Sequence, residues 1–149
     1  LVDKALPIAD GAEKSAIQKV AKLFRVAALN TNELQELDLL RDFYSGSLQL
    51  NEAEEQDLRN ITGENGISCS QRLGLSDAAP IEEMKAMAQQ KSSYWHVKAV
   101  RALLDPTLKD AARHLDASYR AMIEEIDSLA IDLEKATEAL WGRTFRGQQ

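Results

Sequence analysis

Residues 107–141 read TLKDAARHLDASYRAMIEEIDSLAIDLEKATEALW, a stretch with no glycine or proline. Leu108, Ala112, Leu115, Tyr119, Met122, Ile126, Leu129, Leu133, Ala136 and Leu140 recur at alternating spacings of four and three. Such spacing lines one side of an α-helix, because about 3.6 residues complete a turn. The stretch predicts one unbroken helix of roughly 50 Å, at about 1.5 Å per residue. Two-stranded coiled coils usually carry charges beside the seam. Here those positions include Ala111, Ser118, Ile123, Ala130, Thr137 and Ala139. Ile123 and Ala130 widen the apolar face, which suits packing against several helices of one bundle. The reading is a bundle spine whose distal turns are open to a coiled-coil partner helix.

Working outward, Asp105 and Pro106 fit an N-cap and a first helical position. Before them a helix carries Met84, Ala88, Ser92, Trp95, Ala99 and Ala102 on one stripe, with Pro80 in its first turn. Between Gly63 and Gly74 the helical pattern fails. Ile67, Cys69, Leu73 and Leu75 keep that segment apolar, so it is expected to pack on the body. Cys69 reads as a small buried residue. Further upstream, Asn51 and Glu54 form a capping-box pattern. They open a helix with Leu58 and Ile61 that stops at Gly63. Ser45-Gly46-Ser47 is a turn, preceded by a helix with Leu34, Leu37, Leu40 and Tyr44 that Thr31 or Asn32 caps. A first helix from Asp10 carries Ile17, Val20, Ala21, Phe24 and Ala28, and Asn30-Thr31-Asn32 breaks it. The expected fold is an all-α bundle of about five helices with a long C-terminal helix. Residues 1–66 supply three helices and residues 67–149 the other two.

Composition bounds the function. The 149 residues are 44% apolar, enough for the core of one domain. A formal charge of −6 argues against nucleic-acid binding, which draws on excess positive charge. One cysteine permits neither an internal disulfide nor a cysteine-built zinc site. No apolar run approaches the ~20 residues that span a bilayer. The chain starts at Leu1 with no secretory pattern, so a cytoplasmic piece of a longer protein is expected. Residues 33–64 carry nine acids and two bases, and residues 85–120 carry seven bases and three acids. Both read as solvated helix faces, with pairing between them as the alternative.

Catalytic patterns are missing. Bundle metal sites use Glu three residues before His, but Ser93 and Ala111 stand there before His96 and His114. Gly63-Glu64-Asn65-Gly66 is too short for a phosphate loop. Ser92 and His96 share a helix face, yet no strained turn exposes the hydroxyl. The reading is a non-enzyme with no metal and no cofactor. Trp95 lies on the core stripe, while Tyr94, His96, Lys98 and Arg101 suggest a partner-binding surface. Trp141 and Phe145 join the candidates, and the tail with Arg143 and Arg146 is the candidate membrane contact.

Leu73-Gly74-Leu75, Ala78-Ala79-Pro80, Glu82-Glu83-Met84-Lys85, and Lys109 to Tyr119 follow the order of motifs in a J-domain. The stretch Arg72–Ile123 resembles that chaperone-cofactor family over about a third of the chain. Where the family carries His-Pro-Asp, this chain reads His96-Val97-Lys98, so the resemblance implies a helical scaffold without stimulation of a chaperone ATPase. Arg72-Leu73-Gly74-Leu75, Trp95 and Tyr119 are also similar to the C-terminal helical region of bacterial dynamin-like GTPases. That resemblance implies a GTPase elsewhere in the parent protein and contact with membrane. The leading expectation is a protein–protein interaction or assembly module. Its partner is another protein, the rest of its own parent chain, or a second copy.

Overall fold

The computed structural model describes residues 34–146 together with Ala16, Ile17, Lys19 and Val20, with side chains up to Arg143. The four isolated residues are helical. The expected first helix start at Asp10 and the break at Asn30-Thr31-Asn32 lie outside the described residues, as does the Phe145 side chain. The chain divides into two compact units, Leu1–Leu37 and Asp38–Gln149. The second holds the core and is built only of helices, with no strand among the described residues. The protein is an all-α bundle.

The first described helix, α1, covers residues 34–44. Its core side is Leu39, Leu40 and Phe43. This shifts the expected stripe, because Tyr44 is exposed and its hydroxyl donates to Glu64 at 2.7 Å. Helix α2 (Glu52–Ile61) has the expected capping box: the Asn51 side chain accepts from the Glu54 N–H, and Glu54 accepts from the Asn51 N–H, both at 3.0 Å. Two orphan donors are thereby satisfied at one helix end. Leu58 and Ile61 are fully buried, and Gly63 turns the chain with φ +84.

The glycine-flanked segment contains one helical turn that sequence periodicity missed. This helix, α3 (Cys69–Arg72), is opened by a second capping box between Ser68 and Gln71. Arg72 Nε donates to the Ile61 carbonyl at 2.8 Å, so α3 closes an open carbonyl of α2. Leu73 is buried as expected, Cys69 is half-buried, and Ile67 is 90% exposed.

Helix α4 (Ile81–Arg101) and helix α5 (Pro106–Arg146) form the main packing pair. Pro80 is the N-cap of α4, so the helix starts just after the proline and not with it in the first turn. Ala88, Ser92, Trp95 and Ala99 are buried, which reproduces the predicted stripe. Asp105 caps α5 by accepting from the Leu108 N–H at 3.0 Å. The four-residue connection makes the pair antiparallel. Side-chain pairings agree: Ser92 and His96 meet Asp116, while the earlier Lys85 meets Asp127.

Helix α5 is unbroken, as predicted, but its seam changes environment. Ala112, Leu115, Tyr119, Met122 and Ile126 are buried. Leu129, Leu133 and Leu140 are exposed, and so is Ala136. The reason is length. Forty-one residues of α5 face twenty-one of α4, or about 61 Å against about 31 Å. The antiparallel pairing reaches Ile81 while α5 still has some four turns to run. The spine is a core element only through Ile126.

Candidate functional site

The described residues present two surfaces around α4 and a third along distal α5. The first is the seam between α2 and α4. Glu54 is 2% exposed, a rare environment for a carboxylate without partners. It has three: the Asn51 N–H, the Tyr94 hydroxyl at 2.5 Å, and the Lys98 ammonium. Burial pushes the Glu54 pKa up, but the hydrogen bonds from Lys98, Tyr94 and the Asn51 backbone outweigh it and hold the carboxyl below its ordinary range. The bond to Glu54 and partial burial raise the Tyr94 phenol. One turn along α2, Asp57 accepts from Lys91 at 2.6 Å. A small cleft of about 170 Å³ opens here, lined by Asn51, Glu54, Asp57, Gln90, Lys91 and Tyr94. These pairs correct the expectation of solvated faces. At Glu54 and Asp57 the acidic segment meets the basic one directly, through side chains that reach between α2 and α4.

The other flank of α4 faces α5. Asp116, 7% exposed, accepts from the Ser92 hydroxyl at 2.6 Å and from Arg120 Nε at 3.0 Å. Its second oxygen lies 3.2 Å from His96 Nδ1 and 2.9 Å from an Arg120 terminal nitrogen. Ser92 and His96 therefore meet through a carboxylate that both contact. The serine hydroxyl is donated to Asp116 and not to the imidazole. The group acts as a polar clasp that fixes the register of α4 on α5.

The six sequence candidates thus fall in three places. Tyr94, Lys98 and Arg101 share one face of α4 and line a groove with Val97, Ala102 and Leu108. His96 points to the opposite flank. Trp141 is an exposed residue of distal α5, and Phe145 lies beyond the described side chains. Sequence reasoning missed Glu54 as a buried anchor and Asp116 as a shared acceptor. Glu54 had a signal, its capping-box position, but nothing in its spacing announced Lys98. Asp116 sits beside Leu115 on the seam, where a lone acid among apolar neighbours marks a buried partner.

Two exposed apolar patches complete the surface. At the α4–α5 corner, Val100 is 61%, Leu103 76% and Leu104 99% exposed. Lys98, Arg101, Lys109 and Arg113 flank them in sequence. Along distal α5, Leu129, Ile131 and Leu133 are exposed. Cys69 offers little reactivity, because burial and then the neighbouring Glu125 raise its thiol pKa. Among the described residues no His, Cys, Asp or Glu cluster could hold a metal, and no helix is long and apolar enough to cross a membrane.

Comparison with known proteins gives a partial relationship. The chain is 33% identical over 99 residues to the isoniazid-induced protein IniC of Mycobacterium tuberculosis, in strains CDC 1551 / Oshkosh and ATCC 25618 / H37Rv alike. The match takes in 66% of this chain and 20% of the relative. This chain therefore spans about a fifth of the length of the curated relatives it matches. No family model and no solved structure matches it.

Proposed function

We propose that this chain is a helical assembly module that makes protein–protein contacts within a longer protein. The observation that carries the reading is the seam of α5. The row that organises the core through Ile126 continues past it, in the same register, as exposed Leu129 and Leu133. Exposed apolar rows at regular helical spacing suit a partner helix. The relationship to the much longer IniC supports a module in a larger chain. A photo-crosslinking residue in place of Leu133, in the intact parent protein in its own cell, tests this. Adducts with protein at that site are expected. Adducts with lipid alone, or none, refute the reading.

A second reading has its own observation, the corner with Leu103 and Leu104. Two exposed leucines with Arg101 on one side and Lys109 beyond Asp105 on the other suit the surface of an anionic membrane. Vesicles rich in anionic lipid should then float this chain. The double substitution Leu103→Ser, Leu104→Ser should leave it in the soluble fraction. Failure of the unsubstituted chain to float eliminates this reading.

A further inference from the structure

We propose that the groove along the C-terminal half of α4 binds a single-chain amphiphile whose head carries one negative charge, a fatty carboxylate. The groove has a volume of about 640 Å³, within the ~300–1,000 Å³ of small-molecule sites. Its lining follows one face of α4 from Gln90 to Arg101 and ends at Ala102 and Leu108, where α4 hands over to α5. From Gln90 to Arg101 is about 16 Å of helix. Half of the ~30 Å hydrocarbon core of a bilayer, the reach of one acyl chain, is about the same length.

The buried Glu54 makes this groove apolar. The Tyr94 hydroxyl and the Lys98 ammonium both turn to that carboxylate. They leave to the groove the Tyr94 ring and the Lys98 methylenes, beside Val97, Ala102 and Leu108. Such a surface suits an alkyl chain. Charge then chooses the head. Lys98 is matched by Glu54, whereas Arg101 lines the groove with no ion pair among the described residues. Asp105, the next acid in the chain, accepts from the Leu108 N–H instead. The C-terminus of α4 and the N-terminus of α5 meet at this end, and their opposite partial charges offset each other. One unmatched guanidinium therefore stands at one end of an apolar groove. Its planar fork fits a carboxylate through two parallel hydrogen bonds. A phosphate monoester, at about −1.5 to −2, would need a second cation, and Lys98 could supply it only by leaving Glu54.

Isothermal titration calorimetry of the full chain with octanoate, decanoate and dodecanoate, each below its micelle concentration, tests this. Saturable binding is expected, tightening about two- to fourfold per added methylene. Arg101→Gln should weaken decanoate binding about tenfold, and Val97→Asp should abolish it. Both side chains are exposed, so the circular-dichroism signal and melting point of these variants should match the parent. Leu103→Ser with Leu104→Ser should leave decanoate binding unchanged, because neither leucine lines the groove. Loss of binding in that double variant moves the site to the corner and overturns the inference. Absence of binding by all three acids also overturns it, as does equal affinity for decanoate and the cationic decyltrimethylammonium. Affinity that survives both Arg101→Gln and Val97→Asp overturns the site, and tighter binding of decyl phosphate overturns the singly charged head. If anionic vesicles float the chain while decanoate does not bind, the groove inference fails and the membrane reading of the corner stands.

Discussion

Glu54→Gln separates the charge of the α2–α4 anchor from its shape. Glutamine keeps one oxygen, which can accept from the Asn51 N–H so that the cap survives, while its NH2 takes the place of the oxygen that Tyr94 and Lys98 contact and can donate to the Tyr94 hydroxyl. The lost component is the attraction to the Lys98 ammonium. Charge-assisted hydrogen bonds contribute about 1.5–3 kcal/mol, and breaking a fully buried pair costs about 3–5 kcal/mol. The Lys98 side chain is 24% exposed, against 3% for Glu54. Water therefore recovers part of the ammonium's solvation and places the loss at the lower end, about 2 kcal/mol. For a domain of this size that lowers the melting point by roughly 5–10 °C. Urea denaturation followed by circular dichroism measures it. Adding Lys98→Met should restore part of the loss, because no unpaired ammonium then remains at the seam. The pH dependence gives an independent reading. The folded-state pKa of Glu54 lies below its ordinary value. Its stabilisation is therefore complete above the ordinary carboxylate range and fades as pH falls through the folded value. The Glu54→Gln variant should show a flatter stability profile in that acid window. A loss under ~0.5 kcal/mol, with an unchanged acid profile, would show that Glu54 is no anchor.

Three other substitutions test the packing. Ile126→Ala should cost about 2–5 kcal/mol by leaving a cavity, whereas Leu133→Ala, one heptad along the same row, should stay within about 0.5 kcal/mol for the dilute chain. Equal losses in parallel urea titrations would contradict the boundary of the core. Gly74→Ala should destabilise by more than ~1 kcal/mol, because φ is +72 and a Cβ there would lie 2.8 Å from Asn60 Nδ2. A thermal melt that matches the parent would refute this strain. Asp105→Ala removes the side chain that accepts from the Leu108 N–H and should cost about 1 kcal/mol, while Asp105→Asn should retain most of the stability.

Several elements could be read from local chemistry. The cap at Asn51 and the helix start at Pro106 depend on residues within one turn, and both appeared where the residue types placed them. The α4 stripe was legible for the same reason, since spacing along one helix does not depend on its neighbours. Helix α3 was not, because four residues are too few to show a period. The Ser68–Gln71 box was its only mark. In α1, the buried side moved to Leu39, Leu40 and Phe43, since several residues are apolar and the packing partner chooses among them.

The site divides in the same way. Tyr94, Lys98 and Arg101 share a face by helical spacing alone, and the sequence placed them together. It also grouped His96 with them, whereas the structure turns His96 toward Asp116 on the opposite flank. The acidic and basic segments were visible as compositions, but Glu54–Lys98 and Asp57–Lys91 joined only when the fold brought α2 and α4 within side-chain reach.

The uninterrupted helical character of residues 106–146 was settled by the sequence, because apolar spacing and the absence of glycine and proline act locally. Where that helix stops being core was settled by tertiary structure. A seam residue is buried only if another element reaches it, and α4 begins at Ile81, level with the turn of Leu129, so Leu129 lies at its edge and Leu133 beyond it. The same apolar row is therefore a core through Ile126 and an open surface beyond it.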